Sequence, residues 1–279
     1  MPELLTGRAV PLSPLIQRIL APNPGVMPGS GTNTYLVGKN QLAVIDPGPA
    51  IDEHIETILA AAGNRIRWIL ITHTHADHYP ATYKLKARTG ARVYGYVHEK
   101  AVLRSPDFVP DEPLTHGQKC PGDHFTLRAI YTPGHASDHL CYFLEEEGIM
   151  FTGDHIMNGS TVVIAPPDGD MKVYLDSLEL LKTYPIKTLA PGHGDIMNDP
   201  AGVIDGIIQH RMNREAKVIR ALRKTQNATV DMLIPPVYDD VPPFLHPVAK
   251  YSLLAHLLKL EQENRATQSE GLWSWIEKG

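Results

Sequence analysis

The sequence predicts an α/β protein whose sheets are covered by helices, followed by a small helical module. Over most of the first 200 of the 279 residues, short apolar, β-branched segments alternate with segments of helical spacing. Several of these segments end at a glycine or at Pro-Gly, which interrupt regular structure. From about residue 201 the pattern changes to long helical segments. Such a mixture of strands and helices is typical of layered α/β domains.

The first predicted elements alternate between strand and helix. A strand at 42–46 (LAVID) stops at Pro47-Gly48, and a helix at 51–63 ends at Gly63. The apolar segment 66–72 is expected as the next strand, and 81–90 as a helix that is again closed by a glycine. Later segments with strand composition are 91–97, 125–132, 140–146 and 148–154.

The remaining pattern is mainly helical. An amphipathic helix is predicted at 172–184, and a strand that starts at residue 186 runs into a loop. A long helix at 201–224, a turn-rich segment at 234–247 and a second amphipathic helix at 248–265 come next, and the tail 267–279 fits a two-stranded ribbon. The sequence therefore predicts a catalytic domain at 1–205 and a winged-helix-like domain at 206–279.

Composition limits the class of protein. Hydrophobic residues make up 43% of the chain, which is enough for a core, and the net charge of −5 implies no general attraction to nucleic acid or anionic membranes. The chain has two cysteines, which we interpret as ordinary thiols. Its first residues lack the apolar core of a secretory signal, and no apolar run reaches about 18 residues. We expect a cytoplasmic protein without membrane contact.

Histidine and aspartate side chains follow four of the predicted strands. A single histidine is most often an ordinary core or surface residue, but clusters at four strand ends, three of them preceded by glycine, favour a metal site. One ion is an alternative, although seven ligands exceed what one tetrahedral ion needs and fit two ions that share a carboxylate. The candidate ligands are His73, His75, Asp77, His78, His135, Asp154 and His193.

The motifs around these residues resemble a known family. THTHADH (72–78), TPGH (132–135), FTGD (151–154) and PGHG (191–194), in this order, resemble the metallo-β-lactamase superfamily. The resemblance implies an αβ/βα sandwich with a dinuclear metal site between two sheets. It further implies that His73, His75 and His135 hold one ion, that Asp77, His78 and His193 hold the other, and that Asp154 bridges them.

Two further residues near these motifs are candidates for orienting ligands. Asp46 matches the aspartate that orients a ligand loop in the family, because a metal-bound imidazole needs an acceptor on its other nitrogen. The alternative is a turn-forming aspartate before Pro-Gly. His155 follows the bridging position, where relatives often carry a small residue or cysteine. It could orient a ligand or bind an ion, but a partly buried polar neighbour is the favoured interpretation.

The resemblance also reaches a subgroup and covers nearly the whole chain. The segments 23–38, 137–147, 207–222 and 251–261 resemble β-lactamase-like protein 2 and its bacterial relatives. That subgroup carries a C-terminal winged-helix-like domain and includes a metal-dependent endoribonuclease that acts on single-stranded RNA. The resemblance therefore implies a nuclease with two divalent ions as cofactors. Zinc is the default for histidine and aspartate ligands, and manganese or iron fits the same set.

The expected chemistry is hydrolysis by a hydroxide held between two metal ions. Asp77 and Asp154 are the candidate catalytic carboxylates, with Asp77 as a general base. Tyr174, at the start of a predicted helix, resembles a tyrosine of relatives and is the candidate general acid, although core packing is the preferred explanation for it. No Gly-x-Ser-x-Gly elbow offers a serine nucleophile instead.

The C-terminal module either binds nucleic acid or only shapes the mouth of the active site, and the sequence leaves both possibilities open. Arg211, Arg214 and Lys217 share one face of a predicted helix, either as phosphate contacts or as an ordinary solvated face. The subgroup resemblance makes hydrolysis of single-stranded RNA the leading hypothesis, although the net negative charge disfavours strong RNA affinity. Hydrolysis of a small thioester, lactone or β-lactam is the alternative. A metal-stabilised binding protein is the third hypothesis, which the complete ligand set disfavours. The sequence also leaves a homodimer open.

Overall fold

The computed structural model describes residues 4–25, 29–99 and 105–277, so residues 26–28 of the segment 23–38 lie outside it. The chain divides into two compact units. The first unit comprises Met1–Thr132, Ser137–Val162 and Tyr184–Pro200, and the second comprises Pro133–Ala136, Val163–Thr183 and Ala201–Gly279. The domain boundary after residue 205 stays a prediction.

A seven-stranded sheet in the described part of the first unit follows the order of the chain, from β1 to β7. The neighbours from β1 to β4 pair antiparallel, and those from β4 to β7 pair parallel. The strands are β1 (Ala9–Pro11), β2 (Ile16–Leu20), β3 (Asn33–Gly38), β4 (Leu42–Ile45), β5 (Ile66–Leu70), β6 (Arg92–Gly95) and β7 (Glu112–Pro113).

A five-stranded sheet, counted over the same described ranges, has the order β12-β11-β10-β9-β8. Only its β11–β12 pair is parallel among these neighbours. The strands are β8 (Lys119–Pro121), β9 (Thr126–Tyr131), β10 (Leu140–Leu144), β11 (Ile149–Gly153) and β12 (Thr188–Pro191). The strand predictions are confirmed here, with each end shortened by at most two residues.

Both sheets contribute to one apolar cluster in the first unit. Tyr35 of the larger sheet and Tyr142 of the smaller sheet are fully buried members of it. A second cluster joins the larger sheet to helices α1 (Asp52–Ala62) and α2 (Thr82–Thr89) through Ile58 and Leu85. Strands β4 and β10 are apolar and buried at every position, because both faces of these strands are covered. This packing leaves the ends of the strands as the place for polar loops.

The predicted helix stops have a clear local cause. Gly63 and Gly90 adopt φ values of 58° and 67°, and the backbone N–H of each donates to a carbonyl of the last helical turn. A residue with a Cβ is sterically strained in this conformation, so glycine is the natural end of both helices. The prediction of both helices is confirmed.

The second unit consists of helices and a hairpin. Its helices are α3 (Met171–Leu181), α4 (Pro200–Thr225), α5 (Val230–Val237) and α6 (His246–Gln262), and its hairpin pairs β13 (Ala266–Ser269) with β14 (Leu272–Trp275). Asp170 caps α3 by accepting a hydrogen bond from the Val173 N–H. Leu253, Leu257 and Trp273 belong to the core of this unit, so the amphipathic helix and the terminal ribbon are confirmed.

The turn-rich prediction for 234–247 is wrong at its start. Helix α5 continues through Pro235 and Pro236 to Val237. Thr229 caps this short helix by accepting from the Met232 N–H, while Leu233 and Ile234 are buried. Proline removes a donor but its φ suits a helix, so burial of the apolar face outweighs the lost hydrogen bonds.

The arginine face of α4 also differs from the prediction. Arg211 and Arg214 are buried, with 4% and 6% of their surfaces exposed. The Arg214 guanidinium pairs with Asp240 at 2.6 Å and lies 4.3 Å from the centre of the Tyr238 ring. Lys217 pairs with Asp239 at 2.5 Å. The face is therefore neither a solvated stripe nor a row of unpaired cations, because carboxylates distant in sequence pack against it.

Within the described ranges, each helix is either too short or too polar to cross a bilayer.

Candidate metal centre

The candidate ligands follow the ends of four strands. His73, His75, Asp77 and His78 come after β5, and Asp154 directly follows β11. His135 lies four residues after β9, and His193 lies two residues after β12. Polar side chains collect at such strand ends because the sheet interior is apolar and the backbone leaves its ladder there.

The structure brings these side chains together in two groups among the described residues. In each group, one possible ligand atom from every member lies within 4.8 Å of those of the others. Asp154 Oδ1 also lies 3.3 Å from His78 Nε2 and 3.2 Å from His193 Nε2, so its carboxylate touches the second group as well. The first group is His73, His75, His135 and Asp154, and the second is Asp77, His78 and His193.

The outer nitrogens of four histidines have partners that fix their tautomer. His78 Nδ1 lies 2.9 Å from an Asp46 carboxylate oxygen, and His193 Nδ1 lies 3.0 Å from the Gly31 carbonyl. His135 Nδ1 lies 2.8 Å from the Val163 carbonyl. His73 Nδ1 lies 3.0 Å from Thr72 Oγ1, whose own proton goes to Asp46. In the neutral ring with Nδ1 protonated, Nε2 keeps the lone pair that a metal ligand requires.

Glycines allow the loops to approach each other closely at the centre. A Cβ on Gly192 would lie 2.8 Å from Asp154 Oδ1 and 2.8 Å from His78 Cε1. A Cβ on Gly153 would meet Thr72 Oγ1 at 2.6 Å. A side chain at Gly192 would displace Asp154 or His78, and one at Gly153 would displace Thr72 or His139 beside the ligands. The glycine-ligand pattern of the sequence thus reflects a steric need, and the buried donor set fits divalent cations.

Asp46 lies behind the second group. Its carboxylate accepts hydrogen bonds from Thr72 N at 2.8 Å, Thr72 Oγ1 at 2.7 Å and His78 Nδ1 at 2.9 Å. Its backbone also turns sharply, with a φ of 47°. The ligand-orienting contact and the turn were considered as alternatives from the sequence, and the same residue makes both.

When no cation is bound, the imidazoles of the second group and the carboxylates of Asp77 and Asp154 hold each other in charged forms. Burial alone would raise the pKa of Asp77, but His78 and His193 lower it to about 2. Burial alone would lower the pKa of His193, but Asp154 and Asp77 raise it to about 9. By contrast, burial and the neighbouring imidazoles His78 and His75 lower the pKa of His73. An incoming divalent cation would therefore displace protons from the second group.

Two other predicted residues lie in buried positions. His155 is fully buried, with its ring centre 5.7 Å from that of His139, and it belongs to neither ligand group of the described residues. Tyr174 is 1% exposed, and the Arg211 guanidinium lies 5.5 Å from the centre of its ring. Burial of Tyr174 agrees with the packing explanation, and its role as a general acid stays a prediction.

Sequence reasoning missed the residues that anchor the ligand loop from outside. Asp138 Oδ2 accepts hydrogen bonds from Thr74 N at 3.0 Å and Thr74 Oγ1 at 2.7 Å, between His73 and His75. The His139 ring centre lies 5.1 Å from that of His73. The segment Ser137-Asp138-His139 directly precedes β10, so polar residues before an apolar strand were the available signal.

Comparisons with known proteins agree with this geometry. A family model described as "Metallo-beta-lactamase superfamily" matches residues 27–193. A second model, described as "Beta-lactamase associated winged helix domain", matches residues 229–275. The first match includes every candidate ligand, and the second covers much of the helical unit.

Individual relatives match over different shares of the chain. A beta-lactamase-like protein 2 homolog of Drosophila melanogaster is 32% identical over 93% of this chain and 92% of its own length. An atrochrysone carboxyl ACP thioesterase of Cryptosporiopsis sp. (strain 8999) is 31% identical over 77% of this chain and 65% of its own. The structure of a metallo-beta-lactamase family protein from Thermus thermophilus has a TM-score of 0.80 at 23% identity, covering 95% of this chain and 100% of its own.

Proposed function

The chain belongs to the metallo-β-lactamase superfamily of metal-dependent hydrolases, and we propose that it uses two divalent ions to hydrolyse an acyl thioester. The observation that carries the dinuclear part is the position of Asp154. Its carboxylate belongs to the first ligand group and also lies 3.3 Å and 3.2 Å from two imidazoles of the second. A shared carboxylate of this kind is what two neighbouring ions need.

The residues of the site have separate tasks in this proposal. His73, His75 and His135 would hold one ion, Asp77, His78 and His193 the other, and Asp154 both. Two bound ions supply an activated water near neutral pH and stabilise the oxyanion that develops on the substrate. Asp77 is only partly buried, with 32% of its side chain exposed, so its carboxylate can orient a water that approaches from solvent. Asp46 holds His78 in the ligating tautomer.

The choice of a thioester is supported by two observations. One relative that matches 77% of the chain is named as a thioesterase. In addition, the cations Arg214, Lys217 and Lys259 of the helical unit are paired with carboxylates, the last with Glu215 at 2.7 Å. Paired cations release few counterions from a phosphate backbone, so they add little affinity for a polyanion. An acyl substrate does not require such affinity.

Single-stranded RNA is the second candidate substrate. It is favoured by the match to the beta-lactamase-like protein 2 homolog, which extends over 92% of that protein and includes the winged-helix segment. Arg220 and Lys224 are exposed near the end of α4 and lie four residues apart, so they share a face that could contact phosphates. Tyr174 remains the proposed general acid for either substrate.

A substrate panel tests the proposal. The full chain is loaded with Zn²⁺ or with Mn²⁺ and incubated with a simple acyl thioester, a lactone, a chromogenic β-lactam and an end-labelled unstructured RNA. We expect thioester turnover that depends on the ion and disappears in Asp154→Asn. Cleaved RNA with intact thioester would reverse the order of the two candidates. A fully loaded protein that leaves every substrate intact would contradict the thioester and RNA proposals alike.

A further inference from the structure

The loop that carries Asp46 is held in a conformation that needs outside support. The Asp46 N–H donates to the Leu70 carbonyl at 3.0 Å, which extends the pairing of β4 with β5. Its φ of 47° then turns the carboxylate towards Thr72 and His78. A residue other than glycine is strained in this region, and the conformation persists only where surrounding contacts fix it.

The contact that fixes the Asp46 carbonyl comes from β3. Thr34 Oγ1 lies 2.6 Å from the Asp46 carbonyl oxygen, which can only accept, so the threonine hydroxyl donates its proton there. The same hydroxyl oxygen lies 2.9 Å from His54 Nε2 in helix α1. Because the hydroxyl proton is already used, His54 must donate from Nε2 to Thr34.

His54 is suited to this single role. It is 2% exposed, and its Nδ1 has no hydrogen-bond partner among the described residues. Burial lowers the pKa of His54 to about 4, and a hydrogen bond to the Pro47 backbone carbonyl offsets part of the effect, so the ring is neutral at pH 7. A neutral imidazole carries one N–H, and the contacts of His54 require that it be Nε2–H.

We propose that His54 is a positioning residue for the second metal ion, acting through Thr34 and Asp46. The relay runs from His54 Nε2–H to the Thr34 hydroxyl and on to the Asp46 carbonyl, while the Asp46 carboxylate receives His78 Nδ1–H. His78 Nε2 is thereby directed towards the ligand group. The inference rests on the proposed metal centre but not on the substrate.

A second contact of His54 supports the same role. Gly48, with a φ of 82°, lies so close to the ring that a Cβ there would be 3.1 Å from His54 Nε2. The Gly48 N–H donates to the His78 carbonyl at 2.9 Å, and the Gly48 carbonyl accepts from Ala81 N at 3.1 Å. His54 therefore packs on the loop that holds the backbone of His78 as well as its side chain.

Metal affinity in the full chain tests the relay. Protein stripped of metal is titrated with Zn²⁺ against a chromophoric chelator. Substituting a residue that contacts a metal ligand typically lowers metal affinity about 10–100-fold. His54 acts one contact further away, so His54→Leu should lower the affinity for one of the two ions about tenfold. His54→Gln, which keeps an N–H donor, should restore affinity to within about threefold. The matched control His256→Leu removes another buried histidine and should leave both affinities unchanged.

Coupling and tautomer separate the relay from simple core filling. Thr34→Val should cause the same loss as His54→Leu, and the double variant should lose no more than either, because both break one chain of contacts. Thr34→Val alone also tests the relay if His54→Leu does not fold. In the ¹⁵N-labelled chain, long-range ¹H–¹⁵N spectra at pH 7 should show the proton of His54 on Nε2.

The results that would contradict the relay differ from those that would contradict the proposed function. Unchanged affinity in both His54→Leu and Thr34→Val, losses that multiply in the double variant, or a proton on Nδ1 would overturn the relay. Wild-type protein that binds fewer than two ions would contradict the proposed function instead. A protein with two ions, both indifferent to His54 and Thr34, would contradict only the relay.

Discussion

Asp154 is the residue on which both ligand groups depend. Its carboxylate is buried and lies against His78 and His193, and these imidazoles keep its pKa well below the usual range although burial alone would raise it. The negative charge is therefore present at all working pH values. A neutral side chain of the same shape would keep the packing but lose the charge that two cations share.

We expect Asp154→Asn to bind one ion or none and to lose more than about 100-fold of its activity. The reason is that substituting even a residue that only contacts a ligand lowers metal affinity or activity by up to about 100-fold. Elemental analysis of protein purified without chelator, together with turnover of the best substrate in the panel, measures both effects. Asp52→Asn is the matched control, since Asp52 is exposed and paired only with Lys84 among its described contacts. Two ions and full activity in Asp154→Asn would place the reaction elsewhere.

At the scale of elements, the loop that carries His135 is fitted closely to helix α3. Gly134 has a φ of 136°, and a Cβ there would lie 2.3 Å from the Tyr174 Cα. We expect Gly134→Ala to lower stability by at least about 1–3 kcal/mol, because the backbones must separate. The displacement of His135 should also lower the affinity for one ion. Thermal unfolding and Zn²⁺ titration measure the two effects.

Gly206 provides the matched control for that substitution. It lies inside helix α4, and a Cβ there would meet nothing within 4 Å. Alanine at this position should raise stability by about 0.5–1 kcal/mol, since glycine is a poor helix former. Equal melting temperatures and metal affinities for the two alanine variants would contradict the close fit of the Gly134 loop.

Helices α4 and α6 share a buried ionic cluster that makes the second unit sensitive to acid. Glu215 is 1% exposed and contacts Lys259 at 2.7 Å, with His256 Nδ1 at 3.8 Å. Burial alone would raise the pKa of Glu215, but His256 and Lys259 lower it to about 2. Burial lowers the pKa of His256 to about 4, although Glu215 partly opposes this.

Both folded pKa values lie below those of the unfolded chain, so the unfolded state binds protons first as the pH falls. Above about pH 6.5, both groups should contribute fully to the free energy of unfolding. The contribution of His256 should be lost between about pH 6.5 and 4, as its unfolded form takes up a proton. The contribution of Glu215 should be lost between about pH 4.5 and 2. At about 1.4 kcal/mol per pH unit, the His256 part is on the order of 3 kcal/mol.

Urea unfolding followed by tryptophan fluorescence at pH 7.5, 6 and 5 measures this slope. The free energy of unfolding of His256→Gln should change less with pH over that range than that of wild type. The control His124→Gln, which changes an exposed histidine, should show the same slope as wild type. Identical slopes for wild type and His256→Gln would show that His256 does not titrate differently on folding.

At the scale of the whole molecule, the ions should add to the stability of the folded chain. Removing them leaves buried carboxylates and imidazoles without the cations that their arrangement fits. An ion present at 100 times its dissociation constant contributes about 2.7 kcal/mol. We therefore expect a chelator to lower the melting temperature by roughly 5–10 °C, reversibly on adding Zn²⁺.

Differential scanning calorimetry with and without chelator measures that change. Asp154→Asn should respond much less, since it has less metal to lose, and the exposed control Asp52→Asn should respond as wild type does. A wild-type melting curve that is the same in both conditions would mean that the folded state gains nothing from the ions.

The sequence alone determined much of this protein. Apolar periodicity located β5, β9, β11 and β12, and polar residues directly after them located the candidate ligands. Glycine before His135, Asp154 and His193 marked the close approach of loops. These features are local. The apolar spacing of a strand, the glycine that ends a helix and the position of a ligand after a strand can each be recognised in a short run of consecutive residues.

Only the tertiary structure decided which residues meet. Asp138 reaches Thr74 from 64 positions away, and His54 reaches Thr34 from another element. The burial of Arg214 against Asp240 could not be read from the helix, because its spacing shows which residues share a face but not what covers it. Periodicity thus specifies the elements and the order of ligands, while packing between distant segments decides their partners, charges and tautomers.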